Sequence, residues 1–133
     1  MQVKLYIRTL FVFILLVFAC RTVARNEDYR YPYRLWVATV HARPTNWRGW
    51  NNLGGVYYDQ GNYKFAKIDF IHSLKLKSDQ FEAWFNLGLI YHLEGDAEKA
   101  IMCYKNALAV NPSQKDARGN LDILLKSSLK KEE

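Results

Sequence analysis

A gap-free internal repeat of 34 residues dominates this chain. Residues 47–80 and 81–114 align with Trp50 over Trp84, Asn52 over Asn86, Leu53 over Leu87, Gly54 over Gly88 and Tyr57 over Tyr91. Gly61/Gly95, Ala66/Ala100, Leu74/Leu108 and Gln80/Gln114 complete nine identities in one register. Two further pairs, Trp47/Phe81 and Phe70/Tyr104, are aromatic in both copies. A period of this length marks stacked supersecondary units, none of which can bury its hydrophobic face alone.

Within each copy the apolar residues recur at helical spacing, as in Trp50, Leu53 and Tyr57 and again in Trp84, Leu87 and Tyr91. Gly54 and Gly88 fall mid-helix, where glycine costs about 1 kcal/mol relative to alanine. The compensation expected is close approach of the paired helix, packed through Ala66 and Ala100. Gly61 and Gly95 read as left-handed helix ends. Asn62 and Asp96, next in sequence, suit the N-cap of the second helix.

Both copies read W-x-N-L-G-x-x-Y-x-x-x-G-x-x-x-x-A, and this resembles the tetratricopeptide repeat. The second copy is the fuller match, with Trp84, Leu87, Gly88, Tyr91, Ala100, Tyr104, Ala107 and Pro112 in place. The first departs at Ser73, where the family has alanine, and at Ser78, where it has proline. Those changes are expected to loosen a helix contact and a turn. The resemblance implies an all-α solenoid of helical hairpins in a right-handed superhelix, preceded here by one N-terminal hydrophobic helix. Pro44 and Trp36 stand where a preceding repeat would end, so residues 32–43 read as its second helix with Pro32 in the first turn. Residues 114–130 read as a capping helix, with Leu121, Leu124, Leu125 and Leu129 over the last core face and Lys126, Lys130 and Lys131 outward. The expected division is an anchor or signal segment at 1–24, a membrane-proximal linker and half repeat at 25–46, repeats at 47–80 and 81–114, and a capping helix with a charged tail at 115–133.

The N-terminal segment is of another kind. Leu10 to Cys20 is unbroken apolar sequence, with Lys4 and Arg8 before it and Arg21 after it. A membrane-spanning helix wants roughly 17–25 apolar residues. Residues 5–20 make a short one if the flanking arginines snorkel. A cleaved signal peptide and a lipoprotein carrying lipid on Cys20 are the alternatives. The stretch from Thr22, Arg25, Asn26, Glu27, Asp28 and Tyr29 through Leu35, Trp36 and Arg43–Asn46 to Asn51–Gly54 resembles the membrane-to-repeat junction of O-mannosyltransferase-like membrane proteins. The catalytic loops of those enzymes have no counterpart here, so the resemblance implies at most a non-catalytic tail. Localisation is expected at a membrane, single-pass. The arginines after the apolar run favour cytoplasmic repeats, whereas the resemblance and the signal-like start favour extracytoplasmic ones, and the extracytoplasmic side is the expectation.

Catalysis is not expected. His41, His72 and His92 lie in three different elements with no ligand partner at helical spacing. Cys103 reads as a buried, inert thiol, and the two cysteines form no disulfide framework. No glycine loop for phosphate is present, and no cofactor is implied. A formal charge of +6 over 133 residues is too diffuse to argue for nucleic acid. Lys64 and Lys67 are taken as outer-face residues. The partners expected are a protein or extended peptide, the membrane through residues 5–20, and a larger membrane assembly.

The tetratricopeptide resemblance also implies a binding face. Asn52, Asn86 and Asn120 hold one register position in three successive first helices, a position that in the family lines the concave groove. A side-chain amide there can both donate to and accept from the backbone of an extended peptide. Bridging between adjacent helices is the competing role. Arg48, Asn51, Gly55, Tyr58 and Asp59 are groove neighbours in the first copy, and Glu82, Phe85, Leu89 and His92 in the second. Asn51 and Gly55 stand where a clamp for C-terminal acidic motifs would need lysine and asparagine, which disfavours that ligand.

Overall fold

The computed structural model describes residues 2–129, and within that range the side chains of residues 10–18 and 31–129. Six helices and no strand are found among them: α1 (Gln2–Ala42), α2 (Trp47–Asp59), α3 (Tyr63–Leu76), α4 (Phe81–Leu93), α5 (Ala97–Val110) and α6 (Lys115–Leu129). The chain parts into two compact units between Leu35 and Trp36. That division falls one turn after Pro32, whose ring removes a bond from the helical ladder. Pro32 was expected in a first turn; it lies inside α1, which runs on through it.

In the N-terminal unit, Leu10–Phe18 is helical with every side chain solvent-exposed. Among the described residues no helix is long and apolar enough to cross a membrane. The side chains of 5–9 and 19–20, and with them Cys20, the position of the lipoprotein alternative, lie outside the described residues.

The second unit is the repeat stack. α2 pairs with α3 and α4 with α5, α3 packs on α4, and α6 covers α5. The architecture is the all-α tetratricopeptide-type solenoid. Its core runs through Phe70, Leu74, Leu87, Ile90 and Cys103, and continues through Ala100, Tyr104 and Leu124 under α6. The end of α1 supplies a partial layer. Val40 is buried, and its Cγ1 lies 3.1 Å from where a Cβ on Gly49 would sit.

The hairpin turns follow from glycine. Gly61 (φ 72°) and Gly95 (φ 78°) take the left-handed conformation that a side chain disfavours. Around them Asn62 N–H donates to Tyr57 C=O (2.8 Å) and Gly61 N–H to Tyr58 C=O (2.9 Å), with the same pair repeated at Asp96/Tyr91 and Gly95/His92. This is the Schellman closure, which satisfies the last carbonyls of α2 and α4. The expected caps divide: Asp96 accepts from Lys99 N–H, while Asn62 makes no side-chain cap.

The mid-helix glycines do permit close approach, but the partner differs from expectation. A Cβ on Gly54 would lie 2.9 Å from the Phe70 ring and one on Gly88 2.6 Å from the Tyr104 ring. The aromatic of the second helix, not its alanine, fills the space. Ser73 also departs from expectation. Rather than loosening a contact, its buried Oγ lies 2.7 Å from the Trp47 carbonyl and 3.0 Å from Gln80 Oε1. Gln80 Nε2 spends its two protons on the carbonyls of Ser73 and Lys77. The network ties the start of α2, the end of α3 and the entry to α4.

A third tie recurs at the repeat period. Trp50 Nε1 donates to Pro44 C=O, Trp84 Nε1 to Ser78 C=O and Arg118 Nη2 to Pro112 C=O. Each holds the loop before its own helix. In the third layer an arginine performs the task of the tryptophans.

Asp69 is the misfit of the first repeat. It is buried in the register slot that Cys103 occupies in the second, and its Oδ2 has no hydrogen-bond partner among the described residues. Burial pushes its carboxyl up to about 6. With the folded value above the unfolded one, the native state holds the proton more tightly. Stability therefore falls as pH rises through roughly 4–6. Asp69→Asn is expected to raise stability at pH 7 by about 1–2 kcal/mol and to change little near pH 4. Thermal melts at the two pH values check this.

Candidate peptide-binding face

The proposed groove residues sit on the first helices of successive pairs, α2, α4 and α6. Asn52, Asn86 and Asn120 are each half-buried. The Asn52 and Asn86 amides make no side-chain hydrogen bond among the described residues. Asn120 differs, because its side chain lies at the Tyr104 hydroxyl and lowers a phenol that burial otherwise pushes up to about 12. The third asparagine thus turns toward α5.

The structure gathers Phe85, Leu89, His92 and Asn120 around Tyr104. The Phe85 ring centroid is 6.0 Å from that of Tyr104, and His92 meets it edge-on at 6.5 Å. Leu89 packs in the same cluster. Tyr58 is half-buried against Tyr63 at 5.5 Å, and its phenol is raised first by burial and then by Tyr63 and Asp59. Asn51 is half-buried, with Oδ1 shielded from solvent and unpartnered. Gly55 faces open space.

Other candidates lie apart from this cluster. Arg48 is exposed and stands over the Trp47 ring at 4.4 Å, with Lys77 over the same ring at 4.7 Å. Glu82 and Asp59 are exposed. Lys67, expected on the outer face, is half-buried and paired with both Glu94 oxygens at 2.6 Å, linking α3 to the end of α4. It is a partly exposed cation engaged in a tie between two helices. His72 lies against Trp50 at 4.3 Å. Cys103 is buried, and burial, with Asp96 adding to it, pushes its thiol up to about 11, so little thiolate forms at neutral pH. Among the described residues no group of His, Cys, Asp and Glu is arranged to hold a metal ion.

Tyr104 is the residue that sequence reasoning used only for packing. Its fully buried hydroxyl has no hydrogen-bond partner of good geometry among the described residues. The signal was present: Phe70 holds the same register in the first copy, so the hydroxyl is the one atom packing does not require.

The tetratricopeptide-repeat family description matches residues 48–80 and again 81–114, together half of the chain. The chain belongs to the tetratricopeptide-repeat family. The tetratricopeptide domain of Spaghetti (RPAP3) bound to an HSP90 peptide superposes with a TM-score of 0.72 at 17% identity, over 79% of this chain and 83% of that one. The Arabidopsis OM64 tetratricopeptide domain gives 0.71 at 13% identity, over 80% and 88%. At these identities the likeness concerns the fold. In sequence, protein O-mannosyl-transferase Tmtc3 of Drosophila melanogaster is 30% identical over 66 residues, half of this chain. The match spans 7% of that protein's length.

Proposed function

We propose that this tetratricopeptide-repeat chain is a non-catalytic scaffold. Its first-helix face binds an extended segment of a partner protein, and residues 5–20 tether it to a membrane with the repeats on the extracytoplasmic side. The carrying observation is the pair Asn52 and Asn86: equivalent, half-buried amides with no side-chain hydrogen bond among the described residues. Uncommitted amides at a fixed period suit a peptide backbone, whose donors and acceptors also recur. Phe85 and Tyr58, half-buried on the same first helices in separate aromatic clusters, offer apolar contact. That a structural neighbour is seen with a peptide supports the same use of the fold.

The test is Asn52→Ala with Asn86→Ala, read against a partner segment recovered by affinity capture. Binding is expected to weaken by about 1–3 kcal/mol, two hydrogen-bond-sized losses, with helicity and melting unchanged. Earlier melting, with binding lost in step with the unfolded fraction, would instead assign the amides to helix bridging.

A second reading rests on the likeness to Tmtc3. In it the chain is a non-catalytic tail of a larger O-mannosyltransferase-like membrane assembly. An open reading frame immediately upstream of Met1 that encodes further hydrophobic spans would support it, and an in-frame stop there would count against it.

A further inference from the structure

The two second helices have the same register but differ in the make-up of their outward faces. On α3, Phe65, Ile68, Ile71 and Leu76 are 47%, 53%, 38% and 39% exposed, and Lys64 and Lys75 lie exposed among them. The same positions of α5 carry Lys99, Met102, Lys105 and Val110, with Glu98 and Ala109 in place of the two lysines. On α5, Met102 and Val110 are still 49% and 38% exposed, but lysines stand at the positions of Phe65 and Ile71, so the repeat fold does not require apolar side chains at those two. The α3 arc also has no outward acid, because Asp69 is turned into the core. Lys64 and Lys75 are committed to no partner among the described residues, unlike Lys67 and Lys77.

We propose that this arc of α3 docks on an anionic lipid surface. Apolar side chains with lysines interleaved are the chemistry of an interfacial helix, in which the apolar groups enter the acyl boundary and the ammonium groups meet anionic headgroups. The charge complementarity is one-sided, as such a surface requires. Elsewhere in the chain, Leu10–Phe18 is exposed on every face, and the basic residues flanking it in sequence give the tether an anionic preference of its own, to which the α3 lysines add. The proposal builds on the tether reading and is independent of the groove. An acidic amphipathic helix of a partner protein is the competing occupant, and the experiment separates the two.

The test is flotation of the full chain with neutral phosphatidylcholine vesicles and with vesicles that also contain phosphatidylserine. Wild type is expected to prefer the anionic vesicles by roughly tenfold or more, at about fivefold per lysine, and to lose that preference in high salt. Lys64→Glu with Lys75→Glu is expected to reduce the preference about tenfold or more, leaving only the part due to the basic residues that flank the tether. Ile68→Asp with Ile71→Asp is expected to reduce anionic binding about tenfold, with melting unchanged since both positions are exposed. Met102→Asp with Lys105→Glu, the same register on α5, should leave it intact. Phe13→Asp with Leu16→Asp addresses the tether separately. If this pair has no effect while the α3 variants do, the tether reading fails and the docking face stands. Vesicle binding that ignores the α3 variants, a wild type without anionic preference, or α3 variants that lose only binding to an acidic helical peptide would each overturn the proposal.

Discussion

Gly88→Leu is expected to destabilise the repeat unit by more than about 3 kcal/mol, lowering the melting temperature on the order of 10–20 °C. The reason is geometric. A Cβ at 88 would stand 2.6 and 2.7 Å from two carbons of the Tyr104 ring, closer than real Cβ contacts come. That ring cannot retreat, because Phe85, Leu89 and Leu124 pack around it. Gly88→Ala should therefore already cost about 1–3 kcal/mol, although alanine is the better helix former. Gly54→Ala, at 2.9 Å from the Phe70 ring, should follow in milder form. Gly55→Ala is the control. It meets nothing within 4 Å and should be neutral or stabilising by up to about 1 kcal/mol. Differential scanning calorimetry of the four variants decides the matter; equal shifts at 55 and 88 would refute the close-packing account.

Gln80→Ala is expected to cost about 2–3 kcal/mol. The side chain is 3% exposed, and its amide supplies both donors to the last carbonyls of α3 while its oxygen faces the Ser73 hydroxyl. Removing it leaves buried polar groups without partners, which costs more than the bonds themselves contribute. Ser73→Ala should be destabilising too, though it introduces the residue usual in the family. The two should be less than additive, since they share one network. Gln114→Ala, at the equivalent position, should fall within about 0.5 kcal/mol of wild type. Ala107 stands there in place of Ser73, and the Gln114 side chain has no such network. Urea denaturation of the three single variants and the Ser73/Gln80 double variant is the measurement.

Much of the architecture was legible because the repeat writes it twice. Register identity placed Trp50 with Trp84 and Gly61 with Gly95, and helical period with glycine chemistry was enough to locate the hairpins. The helix through Pro32 was not legible. Proline is suited to a first turn, and an apolar stretch beyond it cannot say whether the ladder resumes across the missing bond. Nor was the Lys67–Glu94 pair, which joins residues 27 apart in sequence through the packing of α3 on α4.

The candidate face was legible as positions but not as states. The period placed Asn52, Asn86 and Asn120 in one row, yet two amides remain uncommitted and the third turns to Tyr104. That difference follows from the preceding second helix: the register partner of Asn120 is Tyr104, which offers a hydroxyl, whereas that of Asn86 is Phe70, which has none.

Local chemistry alone dictated the elements, their order and their turns: side-chain period, a glycine at each hairpin and an aromatic in each second helix. Tertiary packing decided which atoms those residues spend. It set Tyr104 rather than Ala100 against Gly88, drew Ser73 and Gln80 into a buried network, left Asp69 Oδ2 without a hydrogen bond among the described residues and kept the apolar arc of α3 outside. The physical reason is that period and propensity act over one or two turns. Hydrogen-bond satisfaction and desolvation are settled among helices that meet only after the chain has folded.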